Sequence, residues 1–257
     1  MILAIDIGNS NIVASGFDSV GKIAFMARIA TEKLKTDDQY AAELRTILRL
    51  DNVKESDIEG SIVSSVVPPL SRTLYRAVEK LTGNAPLMVG PGIKTGLNIM
   101  IDDPSQLGSD MVANSVAAIH KYGAPFMAID MGTSTTMFCV DEKGAFRGGA
   151  LFPGMRISLD AFAENASQLP HISIEAPENV VRTNTVECMQ SGIVYGYASM
   201  IDGMIERFEK ETGKFKTVIL TGGLSRHIYE HCKQKVTYDP TLLLDGLYLI
   251  YQKNRPA

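Results

Sequence analysis

Apolar residues fall into short continuous runs and helical spacings that alternate along the chain. Ile2-Leu3-Ala4-Ile5 is an unbroken apolar run ending at Asp6, the pattern of a strand buried on both faces. A polar turn from Gly8 to Asn11 and a return to Ile12-Val13 predict a hairpin, and a charged turn around Gly21 leads to a third strand-like run. Over 36–50, Tyr40, Ala41, Leu44, Ile47 and Leu48 recur at helical spacing, with Asp37 and Asp38 suited to the positive end of the helix. A strand is predicted over 61–67, stopped by Pro68-Pro69, then a helix over 71–81 that ends at Gly83. A short strand follows at 87–89. Helices are expected at 110–120, 158–162, 185–208 and 242–252, and a β-branched strand at 217–220. Gly192, Gly196 and Gly203 weaken the helical preference of the longest of these. Thr185 reads as its N-cap, with Cys188 at the capping-box partner position.

The opening pattern occurs twice. Ile2-Leu3-Ala4-Ile5-Asp6-Ile7-Gly8 is matched by Phe126-Met127-Ala128-Ile129-Asp130-Met131-Gly132, and the two aspartates lie 124 positions apart in a chain of 257. After each glycine come small polar residues, a second apolar run, a turn at Gly21 or Gly144, and a third run. Duplication explains this better than chance. The chain is therefore expected to be an α/β protein of two closely joined subdomains, 1–115 and 116–257, with a cleft between them. In each hairpin, glycine is expected to supply the torsions of the turn and close ligand approach, and exposed N–H groups a concave anion site.

Charge and composition narrow the chemistry. A net charge of −4, with 21% charged and 45% hydrophobic residues, is ordinary for a soluble domain and lacks the basic excess of a nucleic-acid binder. Cys139, Cys188 and Cys232 form neither a disulfide framework nor a CxxC pair, and reduced thiols are expected. No leader pattern and no spanning apolar stretch is visible, so a cytoplasmic protein without membrane partners is expected. Of the histidines, only His227 and His231 are spaced like metal ligands, and a solvated helix face is the better reading of that pair.

Four small motifs carry the candidate chemistry: Asp6-Ile7-Gly8-Asn9-Ser10-Asn11, Gly108-Ser109-Asp110, Asp130-Met131-Gly132-Thr133 and Leu220-Thr221-Gly222-Gly223. Two hairpin turns suit a polyphosphate, a glycine pair after a strand admits a nucleoside, and a further aspartate suits an acceptor hydroxyl. There is no GxxxxGK[ST] loop, so metal ions must supply much of the positive charge that a bound polyphosphate requires.

These motifs resemble the phosphate and adenosine motifs of the actin-like superfamily of sugar kinases and heat-shock ATPases. With Ser65-Val66-Val67-Pro68, Gly90-Pro91-Gly92, Asp103-Pro104 and Asn184-Thr185, the chain is similar nearly end to end to type III pantothenate kinases. The resemblance implies duplicated ribonuclease H-like domains that phosphorylate pantothenate, the first step of coenzyme A biosynthesis. It implies that Asp6, Ile7, Gly8, Asn9, Ser10, Asn11, Ile12, Val13, Thr133, Gly222 and Gly223 hold ATP. Asp6 would face Mg²⁺ and Asp130 a monovalent cation, K⁺ or NH₄⁺. Asp110 would be the general base, and Gly108, Ser109, Met111 and Thr185 would touch pantothenate. It also implies a homodimer whose interface completes the substrate pocket. Two positions depart from the family pattern, because Met111 stands where Arg is common and Ile101 where Tyr is common. They leave open another small primary alcohol as acceptor, or a nucleotide-binding regulatory protein.

Overall fold

In a computed structural model, which describes residues 1–255, each half of the chain opens with three strands in a row. Strands β1 (Ile2–Ile7) and β2 (Asn11–Phe17) form the expected antiparallel hairpin, with Ile7 opposite Ile12 and Asp6 opposite Val13. Strand β3 (Ile23–Ala30) pairs antiparallel with β2. Helix α1 (Asp37–Leu50) is capped by Thr36 in a reciprocal capping box with Gln39, and it buries the five apolar residues picked out by spacing. Strand β4 (Gly60–Ser65) then returns parallel to β1.

Helix α2 (Pro68–Thr82) begins at the prolines, three residues before the expected start. Proline needs no N–H partner in a first helical turn and its φ is already helical, so Pro68-Pro69 opens the helix as well as ending the strand. Gly83 closes it at φ 73°. Strand β5 (Leu87–Met88) completes a sheet ordered β3-β2-β1-β4-β5, and the apolar faces of α1 and α2 share one core with β1, β2 and β4.

The second half repeats this plan. After β6 (Asn98–Ile99) and helix α3 (Ser109–Tyr122) come β7 (Phe126–Met131), β8 (Ser134–Val140) and β9 (Ala145–Pro153). Helices α4 (Met155–Asn165) and α5 (Thr185–Thr212) precede β10 (Thr217–Thr221), β11 (Thr237–Tyr238) and the last helix, α6 (Leu242–Asn254). The sheet order is β11-β10-β7-β8-β9-β6. Taken from β9, the run β9-β8-β7-β10-β11 reproduces β3-β2-β1-β4-β5, with the same antiparallel and parallel pairings at every step. The duplication seen in one heptapeptide thus extends to a whole sheet.

The compact units differ from the linear halves. The division of the middle of the chain falls between Ala117 and Ala118, inside α3. Residues 97–102 belong to the second unit because β6 pairs with β9. Helix α6 belongs to the first, where it packs on β1 and β4, Tyr248 stacks on Phe17 at 4.7 Å, and Gly246 lies against the backbone of Ala113. A histidine-bearing helix is absent from 225–231. His227 and His231 sit in separate short 3₁₀ turns, Ser225–His227 and Tyr229–His231.

Candidate active site

In the first unit, parallel pairing of β1 with β4 sets Asp6 beside Ser64 and Ile7 beside Ser65. The chain leaves β1 through a turn in which Gly8 N–H donates to the Asn11 carbonyl at 3.0 Å. Asn9, Ser10 and Asn11 are exposed there. Thr31, just past β3, holds the turn from beneath. Its hydroxyl donates to the Gly8 carbonyl at 2.7 Å and its N–H to the Ser10 carbonyl at 3.1 Å. Gly8 and Gly132 do not adopt positive φ, contrary to the torsional role expected of them. Gly8 is needed for space, since a Cβ there would stand 3.0 Å from the Asn11 carbonyl. Ile7 and Ile12 are fully buried, so ligand contacts at those positions fall to the backbone.

The start of α3 is tied to the same strand end. The hydroxyls of Ser109 and Ser64 lie 2.9 Å apart, Ser65 N–H donates to Ser109 Oγ at 3.1 Å, and Ser109 Oγ reaches the Ser65 carbonyl at 3.2 Å. Ser109 therefore turns into the fold, and its hydroxyl serves to fix the helix start. Asp110 Oδ1 accepts the Met111 N–H at 2.8 Å, and a Cβ on Gly108 would collide with that oxygen. Burial raises the Asp110 pKa above the ordinary carboxylate value, opposed by the Met111 and Asp110 N–H groups. A carboxylate shifted this way is a stronger proton acceptor once ionised. Asp6 and Asp110 are thus linked through Ser64, which is the strand neighbour of one and the hydrogen-bond partner of the residue before the other.

In the second unit, Asp130 pairs in register with Thr221 of β10 and Thr136 of β8. The turn after β7 is closed by Gly132 N–H to the Ser134 carbonyl at 2.9 Å, and Gly154 N–H donates to the Thr133 carbonyl at 3.1 Å. A Cβ on Gly154 would stand 2.6 Å from the Gly132 carbonyl. Gly222 has φ +90°, and a Cβ there would collide with Asp130 Oδ1 and stand 2.6 Å from Met131 N. The Thr221-Gly222-Gly223 turn therefore lies directly on Asp130, and Leu224 N–H fastens it to the Met131 carbonyl at 3.1 Å. Asp130, Thr133, Gly222 and Gly223 form one neighbourhood.

Thr185 is not the cap of α5. Asn184 is, its Oδ1 accepting the Glu187 N–H at 3.0 Å, which makes Glu187 the third helical residue. Asparagine in β conformation caps better than threonine one residue inside the helix. Thr185 instead lines a cavity with Ser158, Phe162 and Arg182. Thr31, Ser64 and Arg182 escaped the sequence reading. Thr31 follows β3 as Gly154 follows β9, so comparing the two repeats beyond the hairpins would have found it.

Among the described residues, no group of three His, Cys, Asp or Glu side chains forms a metal cage. Asp6 stands half-buried at a strand end beside an exposed polar turn. That fits Mg²⁺, which commonly takes one or two carboxylates and completes its shell with phosphate and water. Among the described residues no helix is long and apolar enough to cross a membrane.

Comparison with known proteins agrees with this architecture. The solved activator of 2-hydroxyisocaproyl-CoA dehydratase from Clostridium difficile, with bound ADPNP, superposes with a TM-score of 0.57 at 12% identity, covering 100% of this chain and 98% of that one. An inorganic polyphosphate/ATP-glucomannokinase from Arthrobacter sp. strain KM gives 0.51 at 13% identity, with 98% and 97% covered. These likenesses establish the actin-like fold. A type III pantothenate kinase from Bacillus cytotoxicus is 42% identical over 99% of this chain and 97% of its own. The family model for type III pantothenate kinase matches residues 2–207. The chain belongs to the type III pantothenate kinase family.

Proposed function

We propose that the chain transfers the γ-phosphoryl group of ATP to the primary hydroxyl of pantothenate, giving 4'-phosphopantothenate at the entry to coenzyme A biosynthesis. The observation that carries the catalytic assignment is Asp110: a half-buried carboxylate of raised pKa, held by the Met111 N–H and anchored through Ser109 to the strand beside Asp6. Asp110 takes the hydroxyl proton as the acceptor oxygen attacks phosphorus. The backbone of the Gly8–Asn11 turn and Thr133 contact ATP phosphates, and Gly222-Gly223 receives the nucleoside. Mg²⁺ at Asp6 neutralises phosphate charge, and Asp130 holds K⁺ or NH₄⁺. Phosphoryl transfer depends on such positioning and charge neutralisation more than on covalent chemistry.

Thr185 contacts the acceptor, and a homodimer completes the pocket. Leu151, Ile157, Phe162, Val180, Val181 and Val186, all of the second unit, are exposed and support an interface between copies. The three cysteines are free, which suits the reducing cytoplasm.

The test is ADP release with MgATP and K⁺, with and without pantothenate. Release that requires pantothenate and disappears in Asp110→Asn is expected. ATP binding without pantothenate-dependent release would overturn the acceptor, and a screen of other small primary alcohols would then locate the true one.

A further inference from the structure

The cavity beside α5 measures about 750 Å³, within the range of small-molecule sites. Leu159, Phe162, Leu169 and Met189 supply apolar wall, and Arg182 is the one charged side chain among its described lining residues. The guanidinium is held in a fixed plane. Its Nε and Nη2 both reach Glu187 Oε2, at 2.8 and 2.6 Å. Glu187 is fixed in turn by the Asn184 amide at 2.8 Å, and the hydrogen bond from Arg182 keeps it below the usual carboxylate range. Those contacts leave Nη1 without a partner among the described residues. An arginine anchored side-on to one carboxylate retains donors for a second, already oriented. Near the base, Met111 offers no charge.

We propose that this cavity binds the acid end of the acceptor and that Arg182 selects for its carboxylate. The inference rests on the pantothenate reading above and adds to it the residue that distinguishes an acid from a neutral alcohol of the same shape. Pantothenate carries a carboxylate at one end and methylene and geminal methyl groups along its body, which match one cation in a largely apolar wall.

The experiment is steady-state kinetics of the full chain and of Arg182→Gln, with pantothenate as substrate and pantothenyl alcohol, the uncharged analogue, as competitor. Arg182→Gln should raise KM for pantothenate about 10- to 100-fold, the scale of a lost charge-assisted hydrogen bond. It should leave kcat, KM for ATP and inhibition by the alcohol near wild type. Arg182→Lys should fall between the two, and thermal melts of both variants check folding. A pantothenate KM within threefold of wild type, or equal loss of affinity for acid and alcohol, would overturn the assignment. Wild-type protein that never phosphorylates pantothenate would instead remove the functional reading on which it rests.

Discussion

Partial burial of Asp110 sets stability against the reactivity proposed for it. Its folded pKa is raised by burial, whereas in the unfolded chain it ionises at the ordinary carboxylate value. Its favourable contribution is therefore complete below the unfolded value and is lost as pH rises through the folded one. Asp110→Asn keeps an oxygen for the Met111 N–H and discards the partly desolvated charge. It should melt at or above the wild-type temperature at neutral pH while turnover falls roughly 10²- to 10⁴-fold. A lower melting temperature with a native fold would show that this charge carries no penalty. The acid limb of kcat/KM should likewise have its midpoint above the ordinary carboxylate range. Gly108→Ala forces a Cβ onto Asp110 Oδ1, so kcat should drop while ATP affinity, read by titration calorimetry, stays near wild type. At this scale the motif residues were legible but their contacts were not. Gly108 and Ser109 were expected to touch substrate; the structure adds that Gly108 leaves room for Asp110 and that Ser109 anchors its helix.

Between elements, two joints hold the sites in place. Gly222 turns the chain from β10 over Asp130 at φ +90°, where any side chain is strained and a Cβ would also meet Met131 N. Gly222→Ala should cost about 1–3 kcal/mol in urea unfolding and weaken nucleotide binding. The second joint is Asp239, just past β11. It is buried and accepts from Lys121 Nζ at 2.5 Å and Tyr122 Oη at 2.8 Å, both at the end of α3. Burial pushes its pKa up, but the Lys121 and Tyr122 bonds outweigh burial and hold it below the usual value. Such a group stabilises above the unfolded pKa and loses that contribution as pH falls through the folded one. Asp239→Ala should cost about 3 kcal/mol at neutral pH, and the difference from wild type should shrink in acid. A constant difference across that range would contradict the ion-pair account. Element identities were legible because apolar spacing is a local property. The partners of Asp239, more than a hundred residues earlier, were not.

For the whole molecule, the repeated sheet and the proposed dimer matter most. Six exposed apolar residues on β9, on α4, before α5 and in its first turn are unusual company for solvent. The protein should sediment as a dimer. Leu151→Glu combined with Val181→Glu, neither of which lines the acceptor cavity, should shift it to monomer and abolish pantothenate phosphorylation, with ATP binding retained in calorimetry. A monomeric wild type with full activity would remove the dimer from the mechanism.

The sequence by itself determined the longer strands and helices, the duplication, the two hairpin turns and the family, because each is written in periodicity, in short motifs or in their order. Tertiary structure alone decided that α6 joins the first unit, that Ser109 is hydrogen-bonded to the end of β4, and that Asn184 caps α5. It alone placed Arg182 in an apolar cavity. These outcomes depend on which distant groups meet when the sheets close, and satisfying buried polar atoms is a property of that meeting, not of any one segment.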